Sequence, residues 1–154
     1  MSWWIARADR TLAEEVAAPP ADVRHFYTNL ENMTLVHPLV VSVRRTGRRE
    51  TADGYIQDYR VADRIPLLRV GFPISYRVRL EVPADGDVVT SARQFPQVRL
   101  DGTVSFEAID PGTRLVERLQ IAAPMPLAAV TTRQAVQAHR SMLAAIRRHF
   151  ESRP

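Results

Sequence analysis

The sequence contains no cysteine and no lysine, and each absence excludes a kind of chemistry. Without cysteine, the chain has no structural disulfide, thiolate nucleophile, iron-sulfur cluster or cysteine-ligated zinc. All 21 basic residues are arginine, which excludes a Schiff base and a lysine-dependent phosphate loop. A G-x-S-x-G elbow, a glycine-rich phosphate loop and an H-E-x-x-H motif are missing as well.

Long apolar runs are also missing. The longest, Ile121 to Val130, is interrupted by Pro124 and Pro126 and is far shorter than the roughly 20 residues that span a bilayer. Near the N-terminus, Arg7 ends the apolar run Trp3 to Ala6 before the hydrophobic region of a signal peptide forms. We therefore expect no transmembrane segment and a cytoplasmic location, which the absence of cysteine permits.

Size and composition are ordinary for one folded domain. The chain has 154 residues, of which 45% are hydrophobic and 25% charged. We expect residues 1–154 to form a single domain, in which residues 1–10 are an extension able to join the first strand. The net charge is +4, but arginine inflates the isoelectric point of any chain without lysine, and we expect no nucleic-acid partner.

From Leu39 to Ala123 the apolar residues recur with period two, which is typical of antiparallel strands. Turn residues at Ala52–Gly54, Ala84–Asp87 and Asp110–Gly112 separate the runs. The predicted strands are Leu12–Val16, Leu39–Val43, Tyr55–Val61, Phe72–Val82, Val88–Phe95, Arg99–Ile109 and Thr113–Ile121.

Helical spacing appears at three places. The first helix is predicted to begin near Pro20, with Asp22 as its cap, and a second short helix covers Asn32 to His37. From Leu127 to Phe150 an apolar stripe predicts a long amphipathic helix. The sequence thus predicts an α+β fold, in which the long C-terminal helix covers the concave face of a curved, seven-stranded antiparallel sheet.

This order of elements resembles the START-like helix-grip superfamily (SRPBCC), which includes polyketide cyclases and dehydrases, pollen-allergen-type proteins and lipid-transfer domains. The resemblance rests on Glu15–Val23, His37–Val43, Leu100–Phe106 and Pro111–Leu115, and it runs from Thr11 to Phe150. Arg24 departs from it, since many relatives have an aromatic residue there, and Trp3-Trp4 precede it. The resemblance implies a cavity for an apolar small molecule between the sheet and the long helix.

His139 and Glu117 are the candidate catalytic residues. His139 lies within the apolar stripe of the long helix, where a purely structural helix would place a hydrophobic residue. It is either a cavity-lining hydrogen-bond partner, a general acid or base, or a buried histidine satisfied by the backbone. Strand alternation points Glu117 inward, where an unpaired carboxylate would be costly. The alternative is a register error that turns Glu117 outward.

Other side chains on the apolar faces are candidate ligand contacts. With Glu117 and His139, the predicted ligand-binding residues are Tyr59, Phe72, Tyr76, Val78, Phe106, Val136 and Leu143. Tyr55 and Gln57 offer further polar groups. Arg45 and Arg93 have a parity that could aim them inward, where a guanidinium would suit a carboxylate or phosphate, although arginines at strand ends are usually solvated.

The remaining histidines and arginines carry weaker predictions. His25 and His37 are secondary candidates; a metal site of His37, His139 and Glu117 would need ligands from unrelated elements, so we expect no metal and no cofactor. Four arginines between Arg44 and Arg49 are predicted at a hairpin tip, where they favour solubility. With Trp3 and Trp4 they would also suit a transient contact with a membrane surface or another acidic surface.

Three functions remain open from the sequence. The first is the binding or transport of a hydrophobic small molecule, such as a lipid, a fatty acyl chain or a polyketide-like aromatic compound. The second is an aromatase/cyclase or dehydrase in which His139 or Glu117 moves protons. The third is an interaction module with a filled core. The oligomeric state is not predicted.

Overall fold

The computed structural model describes residues 4–67 and 70–153. The strands in these residues are β1 Ile5–Val16, β2 Val40–Glu50, β3 Gly54–Leu67, β4 Val70–Pro83, β5 Val88–Gln94, β6 Val98–Ile109 and β7 Gly112–Pro124. The helices are α1 Pro20–Thr28, α2 Met33–Val36 and α3 Met125–Glu151, with a 3-10 turn at Leu30–Asn32.

The strands form one curved antiparallel sheet in the order β1-β7-β6-β5-β4-β3-β2. Consecutive strands from β2 to β7 are neighbours, and β1 pairs with β7 along its whole length, from Ile5 opposite Pro124 to Val16 opposite Thr113. Residues 5–10 therefore lie within the first strand. Since β1 and β2 occupy opposite edges, α1 and α2 carry the chain across the sheet. The predicted α+β architecture is confirmed.

The long helix α3 covers the concave face and closes the core. Met142, Leu143 and Ile146 are at most 2% exposed. They pack against the inward side chains of the sheet, among them Leu80, Val88, Val104 and Leu115. Pro126 lies in the first turn of α3, where its missing N–H costs nothing. No helix in residues 4–67 and 70–153 is both long and apolar enough to cross a membrane.

The short helix α1 packs on the sheet through one apolar stripe. It begins at Pro20, a residue whose ring pre-sets helical geometry at this position. The prediction that Asp22 caps α1 is wrong. The cap is Pro19, and Asp22 lies in the first turn, where its charge faces the positive end of the helix dipole. The buried stripe consists of Val23, Phe26 and Tyr27.

The arginine cluster lies along the edge strand β2 rather than at a hairpin tip, and that prediction is wrong. The strand runs unbroken to Glu50, and the turn to β3 follows it. A register shift between Arg45 and Gly47 marks an irregularity, where Gln57 donates a hydrogen bond to the Gly47 carbonyl at 2.7 Å. Charges on an edge strand oppose pairing with another chain.

Gly112 opens β7 with a φ of +106°, a conformation that favours glycine, and a Cβ there would collide with the carbonyl oxygen of Val16. We expect Gly112→Ala to lower the free energy of unfolding by about 2 kcal/mol or more, because strain and collision add. Gly86→Ala is the control, since Gly86 has a φ of +96° but nothing within 4 Å of its Cβ position. Urea unfolding measures both, and equal losses would contradict the collision.

Candidate functional site

A cavity lies between the concave face of the sheet and α3, in two adjoining chambers. Their volumes are about 140 Å³ for the outer chamber and about 80 Å³ for the inner one. Both are lined by His37, Tyr76, Ala92, Leu100 and His139. The rest of the wall is mainly apolar and includes Ile65, Ile74 and Ile121 in the outer chamber and Leu30, Val61 and Met142 in the inner one.

Glu117 is fully buried on β7 and is held from two helices. His139 Nδ1 from α3 lies 2.9 Å from one carboxylate oxygen, and the Tyr27 hydroxyl from α1 donates to the other. Each oxygen of a carboxylate with no access to water therefore has a partner. The Tyr27 hydroxyl keeps its proton, because burial and the neighbouring Glu117 charge raise its pKa well above the ordinary value.

The contact with Glu117 also determines the direction in which the pKa of His139 is shifted. Burial on its own lowers the pKa of His139, but the Glu117 charge, the hydrogen bond to Glu117 and the charge of Asp63 outweigh it, so the pKa is raised. Because Nδ1 faces Glu117, it carries a proton toward the carboxylate. The protonated ring then presents a second N–H, on Nε2.

His37 stands beside His139, and its pKa is shifted in the opposite direction. The two rings meet edge to face, with centroids 5.5 Å apart. Burial, followed by the charge of His139, lowers the pKa of His37 to about 3. Its Nδ1 accepts a hydrogen bond from the backbone N–H of Leu39 at 3.2 Å, so the proton of the neutral ring is on Nε2. The cavity thus holds one neutral and one readily protonated imidazole.

Asp63 and Tyr76 form the second polar pair of the cavity. They lie on neighbouring strands, and the Tyr76 hydroxyl is 3.0 and 3.1 Å from the two carboxylate oxygens. Burial raises the pKa of Asp63 to about 6, although the Tyr76 hydrogen bond and the charge of His139 oppose it. This carboxyl group therefore titrates close to neutral pH.

The structure brings some of the predicted ligand-binding residues together and separates others. Tyr76, Val78 and His139 line the cavity, and Glu117 lies directly behind His139. The other predicted residues occupy different surroundings, and their contact with a ligand stays a prediction. Tyr59, Leu143 and Phe106 lie in or against the packed core, Phe72 is 48% exposed at the start of β4, and Val136 faces a groove between β1 and α3.

The Tyr59 hydroxyl illustrates why parity alone was insufficient. It donates to the Thr28 carbonyl at 3.3 Å, so it satisfies the end of α1. Phe106 packs edge-on against Tyr27, with ring centroids 5.8 Å apart. The Gln57 side-chain amide likewise donates hydrogen bonds to backbone carbonyls of β2 and β3. Each polar group serves a nearby part of the fold.

Sequence reasoning missed Asp63 and gave Tyr27 and His37 too little weight. A signal for Asp63 was present, because it continues the inward alternation of Gln57, Tyr59 and Val61. Tyr27 lies on the apolar stripe of α1, where helical spacing alone gives no sign of a polar partner. Nothing in the sequence indicated that His37, which precedes Pro38, would meet His139 across the cavity.

The two arginines that parity could have aimed inward are both exposed. Arg45 pairs with Glu31 at 2.9 Å at the sheet edge. Arg93 lies on the outer face and pairs with Asp101 at 3.2 Å, so its inward orientation was wrong. His25 is exposed on α1. Trp4 is 37% exposed, and Trp3 lies outside the described residues.

Metal ligation was tested on the same geometry. Within residues 4–67 and 70–153, no three histidine, aspartate or glutamate side chains are placed to hold a metal ion. His37 and His139 are close, but Nδ1 of each ring is already engaged, by the backbone N–H of Leu39 and by Glu117.

No family model and no curated protein matches the sequence, whereas many solved structures share its fold. The di-domain ARO/CYC BexL from the BE-7585A biosynthetic pathway superposes with a TM-score of 0.74 at 19% identity over 96% of this chain and 51% of BexL. This chain thus spans about half the length of BexL.

Two further structures match over nearly their whole length. The Zhui aromatase/cyclase from Streptomyces sp. R1128 has a TM-score of 0.74 at 16% identity, over 96% of this chain and 94% of Zhui. A STAR-related lipid transfer protein from Xanthomonas axonopodis has a TM-score of 0.62 at 14% identity, over 97% and 95% of the two chains. These are helix-grip folds, and the predicted helix-grip fold of this chain is confirmed.

The raised pKa of Asp63 predicts a pH-dependent effect of its neutralisation. We expect Asp63→Asn to increase the free energy of unfolding at pH 8 by on the order of 2 kcal/mol, because the native protein must ionise a carboxyl whose pKa lies at about 6 instead of 3.8. The increase is fully present above pH 6 and falls as the pH drops toward 4, where wild-type Asp63 is protonated in the native state.

Asp58→Asn is the matched control for this measurement. Asp58 lies on the same strand but is only half-buried, and its hydrogen bond to Arg79 at 2.8 Å lowers its pKa. Its neutralisation should remove a little stability at pH 8 rather than add any. Urea unfolding at several pH values measures both variants. An Asp63→Asn protein that is less stable than the wild type at pH 8 would contradict the assignment.

Proposed function

We propose that the chain binds a small hydrophobic molecule that carries a hydrogen-bond acceptor at one end. The observation that carries the proposal is the internal cavity, whose mainly apolar wall carries a group of polar side chains, His37, His139 and the Asp63–Tyr76 pair, while Gln94, Arg99, Thr131 and Gln134 also border the outer chamber. Pockets with apolar walls and a few convergent polar groups are typical ligand sites. The helix-grip neighbours, which include a lipid transfer protein and aromatase/cyclases, support the same class of function.

The hydrogen-bonding state of the cavity selects the polar end of the ligand. The Tyr76 hydroxyl already donates its hydrogen bond to Asp63, and both oxygens of Glu117 are already bonded to Tyr27 and His139. Within this group, the side chains left to meet a ligand are the two histidines, through the Nε2–H of His37 and, when His139 is protonated, its Nε2–H. Both are donors, so a carbonyl or carboxylate oxygen fits there.

The chamber volumes limit the part of the ligand that is enclosed. A cavity of about 150 Å³ lined by apolar side chains accommodates one benzene ring. The outer chamber, at about 140 Å³, matches one ring or a short branched chain. Burial of such a group contributes roughly 25 cal/mol for each Å² of apolar surface. A longer ligand would have its remainder at the open end of the cavity.

The open end is recognisable by its exposed apolar side chains. It is formed by the start of β1 and β2, the end of β3 and the start of β4, the β5–β6 connection and the start of α3. Among the residues that the structure describes, the exposed large apolar side chains at this end are Trp4, Leu35, Val41, Val70, Phe72, Phe95, Met125 and Leu127, and only Val89 lies elsewhere. This rim is a suitable entrance for an apolar ligand.

A second candidate is an aromatase/cyclase or dehydrase, favoured by the pairing of an acid and a base in one cavity. His139 would donate its Nε2 proton to a carbonyl oxygen of the substrate. Asp63, whose pKa of about 6 leaves it ionised at neutral pH, would take a proton from the adjacent carbon to form the enol. Glu117 would hold His139 in position.

Native mass spectrometry of gently purified protein tests the binding function. We expect an added mass of roughly a few hundred daltons that disappears on denaturation, because the ligand is held without a covalent bond. Organic extraction then identifies its class. A bare mass, together with no thermal shift across fatty acids, phospholipids and aromatic polyketides, would contradict the proposal and favour the interaction module.

A substitution at His139 separates a binding protein from an enzyme. We expect His139→Ala to weaken binding of the extracted ligand roughly 10-fold or more in calorimetry, since a charge-assisted hydrogen bond is lost. Exposed His25→Ala should leave the affinity unchanged. Conversion of the ligand by the wild type, abolished in His139→Ala while binding persists, would instead establish the cyclase or dehydrase.

A further inference from the structure

Five arginines lie side by side across the outer, convex face of the sheet. The strand register places Arg44 opposite Arg60, Arg60 opposite Arg77, Arg77 opposite Arg93, and Arg93 opposite Arg99. Residues directly opposite one another in antiparallel strands share a face, so these side chains form a continuous line over β2 to β6. All five are exposed. We call this line the arginine row.

The like charges of the arginine row have a cost for folding, and among the described residues ion pairs offset it only at Arg93 and Arg99. Like charges directly opposite on neighbouring strands are destabilising, and the row contains four such pairs in succession. Asp101 pairs with Arg93 and Arg99, at 3.2 and 3.4 Å. For Arg44, Arg60 and Arg77, no acidic side chain within the described ranges lies at ion-pair distance. Such unrelieved local conflict is typical of functional surfaces.

The spacing of the row fits a stripe of carboxylates on a helix. Neighbouring strands are about 4.8 Å apart, so the five arginines span roughly 19 Å. Side chains three and four residues apart on one face of an α-helix are about 5 to 6 Å apart, which is a similar repeat. Each guanidinium can grip a carboxylate with two parallel hydrogen bonds. A helix lying across the strands would therefore meet the row residue for residue.

Other anionic partners fit this face less well. The exposed apolar side chains that would insert into a bilayer are at the open end of the cavity, and a flat membrane would touch only part of a row on a convex surface. A single strand of nucleic acid uses aromatic platforms along its path. Among the residues described along the row, only Phe95, at its β5–β6 end, is an exposed aromatic ring.

We propose that the arginine row docks an acidic helix of a partner protein on the face of the sheet opposite the ligand cavity. This surface and the cavity lie on opposite faces of the sheet, since alternation along each strand sends Tyr76 inward and Arg77 outward. They approach each other at Arg99, at the β6 end of the row, which also borders the outer chamber.

A helical peptide probe tests this proposal with the full chain. The probe is an alanine-based peptide of about 20 residues, with five glutamates on one face at alternating spacings of three and four. The comparison peptide has the same composition with its glutamates spread around the helix. We expect the striped peptide to bind at least about 10-fold more tightly at low salt, with an affinity that falls as salt rises.

Matched variants locate the binding surface. Arg60→Gln with Arg77→Gln should weaken binding of the striped peptide about 10-fold, whereas Arg133→Gln with Arg140→Gln, on the exposed side of α3, removes the same charge and should change it less than about twofold. Because the row variant relieves like-charge pairs, its melting temperature should stay the same or rise, which shows that the fold is intact.

Three results would overturn the proposal. Equal losses of affinity in the two double variants would show that binding depends only on the net charge of the protein. Equal affinity for the striped and the dispersed peptide would show that the row does not recognise the spacing of the carboxylates. Preferential binding of a single-stranded oligonucleotide or of vesicles containing phosphatidylserine, lost in the row variant, would assign the row to a different class of partner.

Discussion

The buried carboxylate of Glu117 is the constraint on which the arrangement of the molecule depends. It lies at the centre of β7 with no access to water, and an unpaired charge there would be prohibitively costly. Tyr27 on α1 and His139 on α3 satisfy it from opposite sides. The hydrogen bonds of this one strand residue therefore connect α1, α3 and the sheet. It also orients the imidazole of His139 in the cavity wall.

The cavity derives its chemistry from neighbours rather than from any single residue. His37 and His139 are the same side chain a few ångströms apart, yet burial drives the pKa of one down to about 3 while a carboxylate raises the pKa of the other. Burial raises the pKa of Asp63, and the hydrogen bond from Tyr76 offsets this shift only in part. These environments separate the roles of donor and base in a small apolar space, which suits both ligand orientation and proton transfer.

The alternation of side chains divides the sheet into two working faces. Inward residues of β3 to β7 build the core and the cavity, while the outward positions next to them carry the arginine row. Because the same strands support both, the positions of the two faces are fixed relative to each other. The helix α3 covers only the concave side, so the convex side is left for charge.

The sequence by itself determined the fold class, the helix-grip resemblance and the inward orientation of the region around His139. The fold class follows from local periodicity and turn residues, and the orientation around His139 from the cost of a buried polar group. The helix-grip resemblance rests on particular segments, such as Glu15–Val23 and His37–Val43. It also contained the arginines of the row, but their alignment depends on the register between five strands. Parity could not tell that Tyr59 would cap the end of α1 or that Arg93 faces outward.

Only the tertiary structure decided which polar groups meet. The pairs Tyr27–Glu117, Asp63–Tyr76 and His37–His139 join residues from separate elements, brought together by the packing of helices on the sheet. Their pKa values follow from burial and from charges across those contacts, which no local pattern encodes. The family resemblance therefore implies a cavity and strand alternation indicates which face lines it, whereas the chemistry of the cavity arises from long-range contacts.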